Sequence, residues 1–102
     1  DAAEGFLESL SIDPENCNAR HYLREVLDAQ APAFTGWQRA AEIEPLLLRA
    51  ERHLPGWAGL HLHLADAYHA QGLHKAAAQR YQRYLDLGGD APRALERARA
   101  AN

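Results

Sequence analysis

The chain has 102 residues, a net charge of −3 and one cysteine, Cys17. That length holds one modest core, and a single cysteine excludes an internal disulfide framework or a multi-cysteine metal site. Lysines and arginines are scattered rather than gathered into the basic stripe of a nucleic-acid binder. No apolar run approaches the ~18 residues that would span a bilayer. No basic segment followed by an apolar one opens the chain, so cytoplasmic placement is the expectation. The chain does begin "DAAEGF" and lacks methionine, which reads as a piece of a longer protein whose signal could have been removed.

Strand signals are nearly absent, because alternating β-branched runs occur nowhere. A first helix is predicted over residues 2–11 and ends before "DPEN". A second, over 16–29, carries Tyr22, Leu23, Val26 and Leu27 on one face. "APAFTG" reads as a loop. A third helix is expected over 36–53, with Thr35 and Gln38 as a capping box and with Pro45 bending or dividing it. The fourth carries Leu60, Leu64, Ala67 and Tyr68 at spacings of three and four, and Gly72 closes it. The fifth carries Ala77, Tyr81, Tyr84 and Leu85 and stops at "GGDAP". Small residues Ala65 and Ala77 let these two helices approach as an αα-hairpin. A short sixth helix, over 91–101, has Pro92 in its first turn, where proline is tolerated.

Three tracks of similar residues run through the chain. Phe6, Leu47 and Tyr81 form one, Pro14, Pro55 and Gly89 a second, and Leu23, Leu64 and Ala98 a third. Each steps by 41 residues and then by 34. A shared excess of seven in the first step means one insertion, between Leu23 and Leu47, where "AQAPAFTG" sits.

With its ~34-residue second step, the chain resembles the tetratricopeptide repeat family over almost its whole length. The best unit is 58–91, where Leu64, Ala65, Tyr68, Gly72, Ala77 and Tyr81 occupy the family's helix-packing positions. Residues 1–14 read as the end of one repeat, 15–57 as a lengthened repeat with an inserted turn near 28–40, and 92–102 as a capping helix. Departures from the pattern are Arg24 at a small-residue position, Ala31 for the turn glycine, Tyr84 for a small residue, and "LGGDAP" for "LDP". The resemblance implies an all-α fold of stacked antiparallel hairpins in a right-handed α-solenoid. It also implies an interaction scaffold for a peptide or partner domain, with no catalysis of its own. The alternative is a regulatory or assembly domain of a larger enzyme whose catalytic part lies elsewhere.

Chemistry is not signalled by the residues themselves. His61 and His63 are two apart, on nearly opposite sides of a helix, unlike the i, i+4 pair of a helical zinc site. His69 and His74 straddle the Gly72 turn without an evident third ligand. Cys17 with His21 lacks an orienting group or an oxyanion site. Glu42 and Glu44 do not share a face, and "RYQRY" reports amphipathicity because Tyr81 and Tyr84 share the core side. No catalytic, cofactor or metal residue is therefore expected.

In the family the first helix of each hairpin lines the concave surface. There His21, Glu25 and Asp28 form one polar line, and Leu62, Asp66 and His69 follow 41 residues on. This acidic, histidine-bearing groove calls for a ligand segment that is basic or neutral and partly apolar, released as histidine titrates near ~6.5. Reversing Glu25 and Asp66 is expected to weaken binding without loss of helicity. Phe34 and Trp37 are candidate anchors near the ends of a protruding 28–40 loop. Phe6, Leu7 and Leu10 of the opening helix need a cover, from a preceding repeat or a homodimer.

Overall fold

The computed structural model describes residues 2–30 and 37–100. Among them lie six helices and no strand: α1 (Ala2–Ile12), α2 (Cys17–Gln30), α3 (Trp37–Glu51), α4 (Ala58–Ala70), α5 (His74–Asp86) and α6 (Pro92–Ala100). The turn after α1 is built by the polar residues of "DPEN". Asp13 accepts the Glu15 N–H on its side chain (3.2 Å) and the Asn16 N–H on its carbonyl (3.1 Å). Asn16 then caps α2 by accepting the Ala19 N–H (3.1 Å), which satisfies a donor that the first turn leaves free.

Pro45 does not divide α3, which runs unbroken from Trp37 to Glu51. The reason is where the proline falls. It lies on the exposed side, while Ile43, Leu47 and Ala50 are buried, so the missing N–H costs one bond on the wetted face and the packed face holds the helix. The expected 28–40 loop does not extend to its stated bounds on either side. Residues 28–30 continue α2 and 37–40 belong to α3, because Leu27 and Ala40 are buried near those ends. "APAFTG", with Ala31, Phe34 and Thr35, lies outside the described residues.

The turns after α4 and α5 have the same construction. Gly72 and Gly88 have φ of +80° and +97°, the left-handed region that glycine enters without a side-chain clash. After α4, Leu73 N–H reaches back to the Tyr68 carbonyl (2.9 Å) and Gly72 N–H to that of His69 (3.1 Å). After α5, Gly89 N–H reaches Tyr84 (2.9 Å) and Gly88 N–H reaches Leu85 (3.0 Å). Both are the paired closure of a Schellman motif.

Successive helices pack in the pairs α1–α2, α3–α4, α4–α5 and α5–α6, and α1 also touches α3. Ion pairs connect each of the first four helices to the one two places further on. Glu4 of α1 meets Arg49 of α3 (4.0 Å), and Asp28 of α2 meets His63 of α4 (2.6 Å). Glu51 of α3 binds Arg80 of α5, and Asp66 of α4 binds Arg93 (2.9 Å) and Arg97 (3.4 Å) of α6. The body measures 40 × 29 × 18 Å.

Two buried clusters fill it. Leu7, Leu10, Leu23, Leu27, Ile43, Leu47, Leu60 and Leu64 dominate the first, between α1 and α4. Leu7 and Leu10 are 1 % and 0 % exposed, and Phe6 is half-buried against Tyr22 with ring centroids 5.8 Å apart. The opening helix therefore finds its cover within the chain, and the reason for expecting a dimer there falls away. The second cluster joins Ala65, Ala77, Tyr81, Tyr84, Ala94 and Ala98 across α4, α5 and α6. Leu23, Leu64 and Ala98 are buried in α2, α4 and α6 respectively. Pro14, Pro55 and Gly89 fall in the turns after α1, α3 and α5.

Candidate functional site

The polar residues picked out on α2 and α4 have different roles. His21 and Glu25 form an exposed i, i+4 pair (3.2 Å) with about two-thirds of each side chain in water, at 66 % and 62 %. Asp28 is exposed but binds half-buried His63, whose ring also meets the edge of Trp57 at 5.9 Å between centroids. Trp57, at the start of α4, packs against the first cluster. Trp37 is the first residue of α3, and Phe34 lies outside the described residues.

On α4 the residues of the expected line are engaged in packing and polar contacts. Leu62 is half-buried against the second cluster. The ring of His69 lies 5.1 Å from that of His74. Burial holds the His69 pKa below the usual histidine value, with further lowering from Arg97 and His74. Asp66 is engaged inside the molecule. Its Oδ1 accepts from the Tyr81 hydroxyl and from Arg93 Nε (3.2 Å), and its Oδ2 accepts from Arg93 Nη2 (2.9 Å). Arg97 Nη1 donates to the Tyr81 oxygen (2.7 Å) and its guanidinium stands 5.7 Å from the Tyr81 ring centroid. Burial raises the Tyr81 pKa to about 12, assisted by its hydrogen bond to Asp66. Reversing Asp66 would set a cation beside two guanidinium groups, so it tests the α4–α6 junction as well as binding.

Two polar centres were not legible as such. Arg93 and Arg97 are i, i+4 on α6 and share Asp66; that spacing beside buried Ala94 and Ala98 is the one signal of their common direction. His61, 2 % exposed, lies against the Pro55 carbonyl through Nε2 (3.0 Å) and against Arg80 through Nδ1 (3.2 Å). Arg80 donates onward to Glu51, so a buried imidazole and a half-buried ion pair join α3, α4 and α5. Its neighbour Leu60 and its i+3 partner Leu64 mark His61 as bordering the apolar stripe.

Cys17 is exposed, with Sγ 3.6 Å from the Glu15 carbonyl. Among the described residues no group of three or more His, Cys, Asp or Glu side chains could hold a metal ion. No helix among them is long and apolar enough to cross a membrane. Comparisons with protein-family models, with curated proteins and with solved structures found no match to this chain.

Proposed function

We propose that the chain is a protein-interaction scaffold of the tetratricopeptide kind, its hairpins stacked as a right-handed solenoid. It takes a peptide or partner domain across the face shared by α2, α4 and α6 and performs no catalysis of its own. The observation that carries this reading is the side-by-side placement of those three helices through Asp28–His63 and Asp66–Arg93/Arg97. Burial of Leu23, Leu64 and Ala98 in the same three helices supports the repeat register.

The charge on this face is graded. At α2 the exposed Glu25 and Asp28 favour a basic stretch of ligand. At α4 the Asp66 charge is already matched, and at α6 two arginines share that one carboxylate. The ligand segment is therefore basic where it crosses α2 and neutral or acidic where it reaches α6. This replaces a uniformly acidic groove.

The test uses the immobilised chain and a Glu25→Lys variant of equal helicity, each offered the same extract, with retained proteins compared. A partner kept by the unmodified chain and lost by the variant supports the α2 face. Equal retention by both places binding elsewhere. Of His21 and His69, which would release a basic ligand on protonation near ~6.5, burial holds His69 below that value.

A further inference from the structure

His61 is the one polar side chain in the core among the described residues, 2 % exposed, and its two contacts fix where its hydrogen sits. Nε2 lies 3.0 Å from the Pro55 carbonyl, which can only accept, so Nε2 carries the hydrogen. Nδ1 lies 3.2 Å from Arg80 Nη1, which can only donate, so Nδ1 offers its lone pair. Only the neutral ring makes both contacts. A second proton, on Nδ1, would set two donors and two cations against each other.

The charges beside this nitrogen come from α3 and α5. Glu51 of α3 holds Oε2 3.9 Å from Nδ1, outside hydrogen-bond range, while both of its oxygens accept from Arg80 of α5. Arg80 interacts in turn with Tyr68 of α4, and Tyr68 with Glu44 of α3. The helices on other sides of α4 direct their charges to other residues. Asp28 of α2 binds His63, and Arg93 and Arg97 of α6 bind Asp66. One carboxylate, Glu51, therefore stands between a fixed cation and a ring that can become a second one.

We infer that Glu51 is an acid-operated latch between α3 and α5: when His61 takes a proton from solvent onto Nδ1, Glu51 passes from Arg80 to His61. A shift of about 1 Å brings Oε2 within hydrogen-bond distance of the new N–H. Arg80, whose side chain is already 25 % exposed, turns outward to water, because a guanidinium and an imidazolium in contact repel each other. The polar tie from α5 to α3 is then lost. The apolar packing of Leu60, Leu64 and Ala77 does not depend on it. The chain stays folded, with this link made when His61 is neutral and broken when it is charged. The inference concerns this junction and stands independently of the face shared by α2, α4 and α6.

Side-chain NMR of the isotope-labelled chain tests it. Above neutral pH the ring-nitrogen correlations of His61 are expected to show the hydrogen on Nε2 and none on Nδ1. On acidification the His61 ring and the Arg80 Nε–H signal are expected to shift with one midpoint, while helicity is unchanged. Two variants should move that midpoint in opposite directions by about one pH unit. Glu51→Gln lowers it, because the carboxylate that receives the new N–H is gone, and Arg80→Met raises it, because the neighbouring cation is gone. A neutral ring with its hydrogen on Nδ1, or an Arg80 signal that ignores the His61 midpoint, overturns the inference. So does a midpoint that both variants move the same way or leave in place. Loss of helicity at the midpoint of the parent also overturns it, since the proton then unfolds the chain instead of moving Glu51. Should a variant lose helicity, the parent titration decides by itself.

Discussion

Between α1 and α4 the large fully buried side chains are leucines, whereas between α4 and α6 the largest is a tyrosine, Tyr81, with Tyr84 beside it. The leucines need only volume. The tyrosines also carry hydroxyls that must be satisfied when buried, and each one fixes a particular neighbour. Tyr81 donates to Asp66 and accepts from Arg97. Tyr84 accepts the backbone N–H groups of Asp90 (3.1 Å) and Ala91 (3.2 Å) just ahead of α6. The interior of the first region is held by packing that salt leaves alone, with its ion pairs, Glu4–Arg49 and Asp28–His63, outside that core. In the second, α6 depends on two phenol oxygens and one carboxylate.

The largest expected effect comes from deleting a buried side chain in either region. Leu23→Ala is expected to cost about 2–5 kcal/mol and Tyr81→Ala about 3–5 kcal/mol. Denaturant melts in low and high salt sharpen the contrast. Only the Tyr81 variant, which removes the hydroxyl bonded to both Asp66 and Arg97, should lose part of the parent's salt dependence. Equal salt responses would erase the distinction between the regions.

Next in size is Gly89→Ala. A Cβ there would lie 2.2 Å from the Tyr84 ring, and forced overpacking costs about 1–3 kcal/mol. In a Tyr84→Ala background the same substitution is expected to cost far less, and a double-mutant cycle reads the difference. The coupling accounts for Tyr84 and for the glycine that follows it together. Tyr84 in place of a small residue requires a glycine beneath its ring, and its hydroxyl takes up the N–H groups that "GGDAP" presents.

Tyr81→Phe isolates the hydroxyl and is expected to cost about 1–2 kcal/mol, with the ring still packed. The phenol's raised pKa, about 12 against 10.0, means that its contribution is full below pH 10 and is lost as pH rises through 12. The parent should lose stability over that window, while the Phe variant should lose less. Ultraviolet titration of the phenols beside alkaline melts provides the check.

The smallest effect concerns His69. Its folded-state pKa lies below the ordinary histidine value of 6.5, so the neutral form is the one folding favours. Stability from this site is full above 6.5 and declines as pH falls below it. His69→Gln is expected to flatten that part of the pH–stability curve, and an unchanged slope would remove His69 as its source.

Helix positions and the Gly72 turn were legible because they depend on neighbours within a few residues. Spacings of three and four put Leu60, Leu64 and Ala67 on one side of α4, and all three are buried. Asp66 and His61 were not legible as junctions. A helix-face reading shows Asp66 as polar, yet it cannot show that Arg93 and Arg97, 27 and 31 residues away, close on it. At Pro45 local chemistry predicted a bend or a break, and of the two the break does not occur, because burial of Ile43, Leu47 and Ala50 keeps α3 continuous.

The sequence by itself determined six helices, their apolar faces, the glycine turns and the recurrence of Leu23, Leu64 and Ala98, because each follows from short-range sterics or from the helical period. Only the tertiary structure decided which polar side chains remain available. Glu25 stays in water beside His21, whereas Asp66 is taken by two arginines and a tyrosine. The physical reason is range. A helix forms from interactions within one turn, but a carboxylate's partner is set by which helix packs beside it.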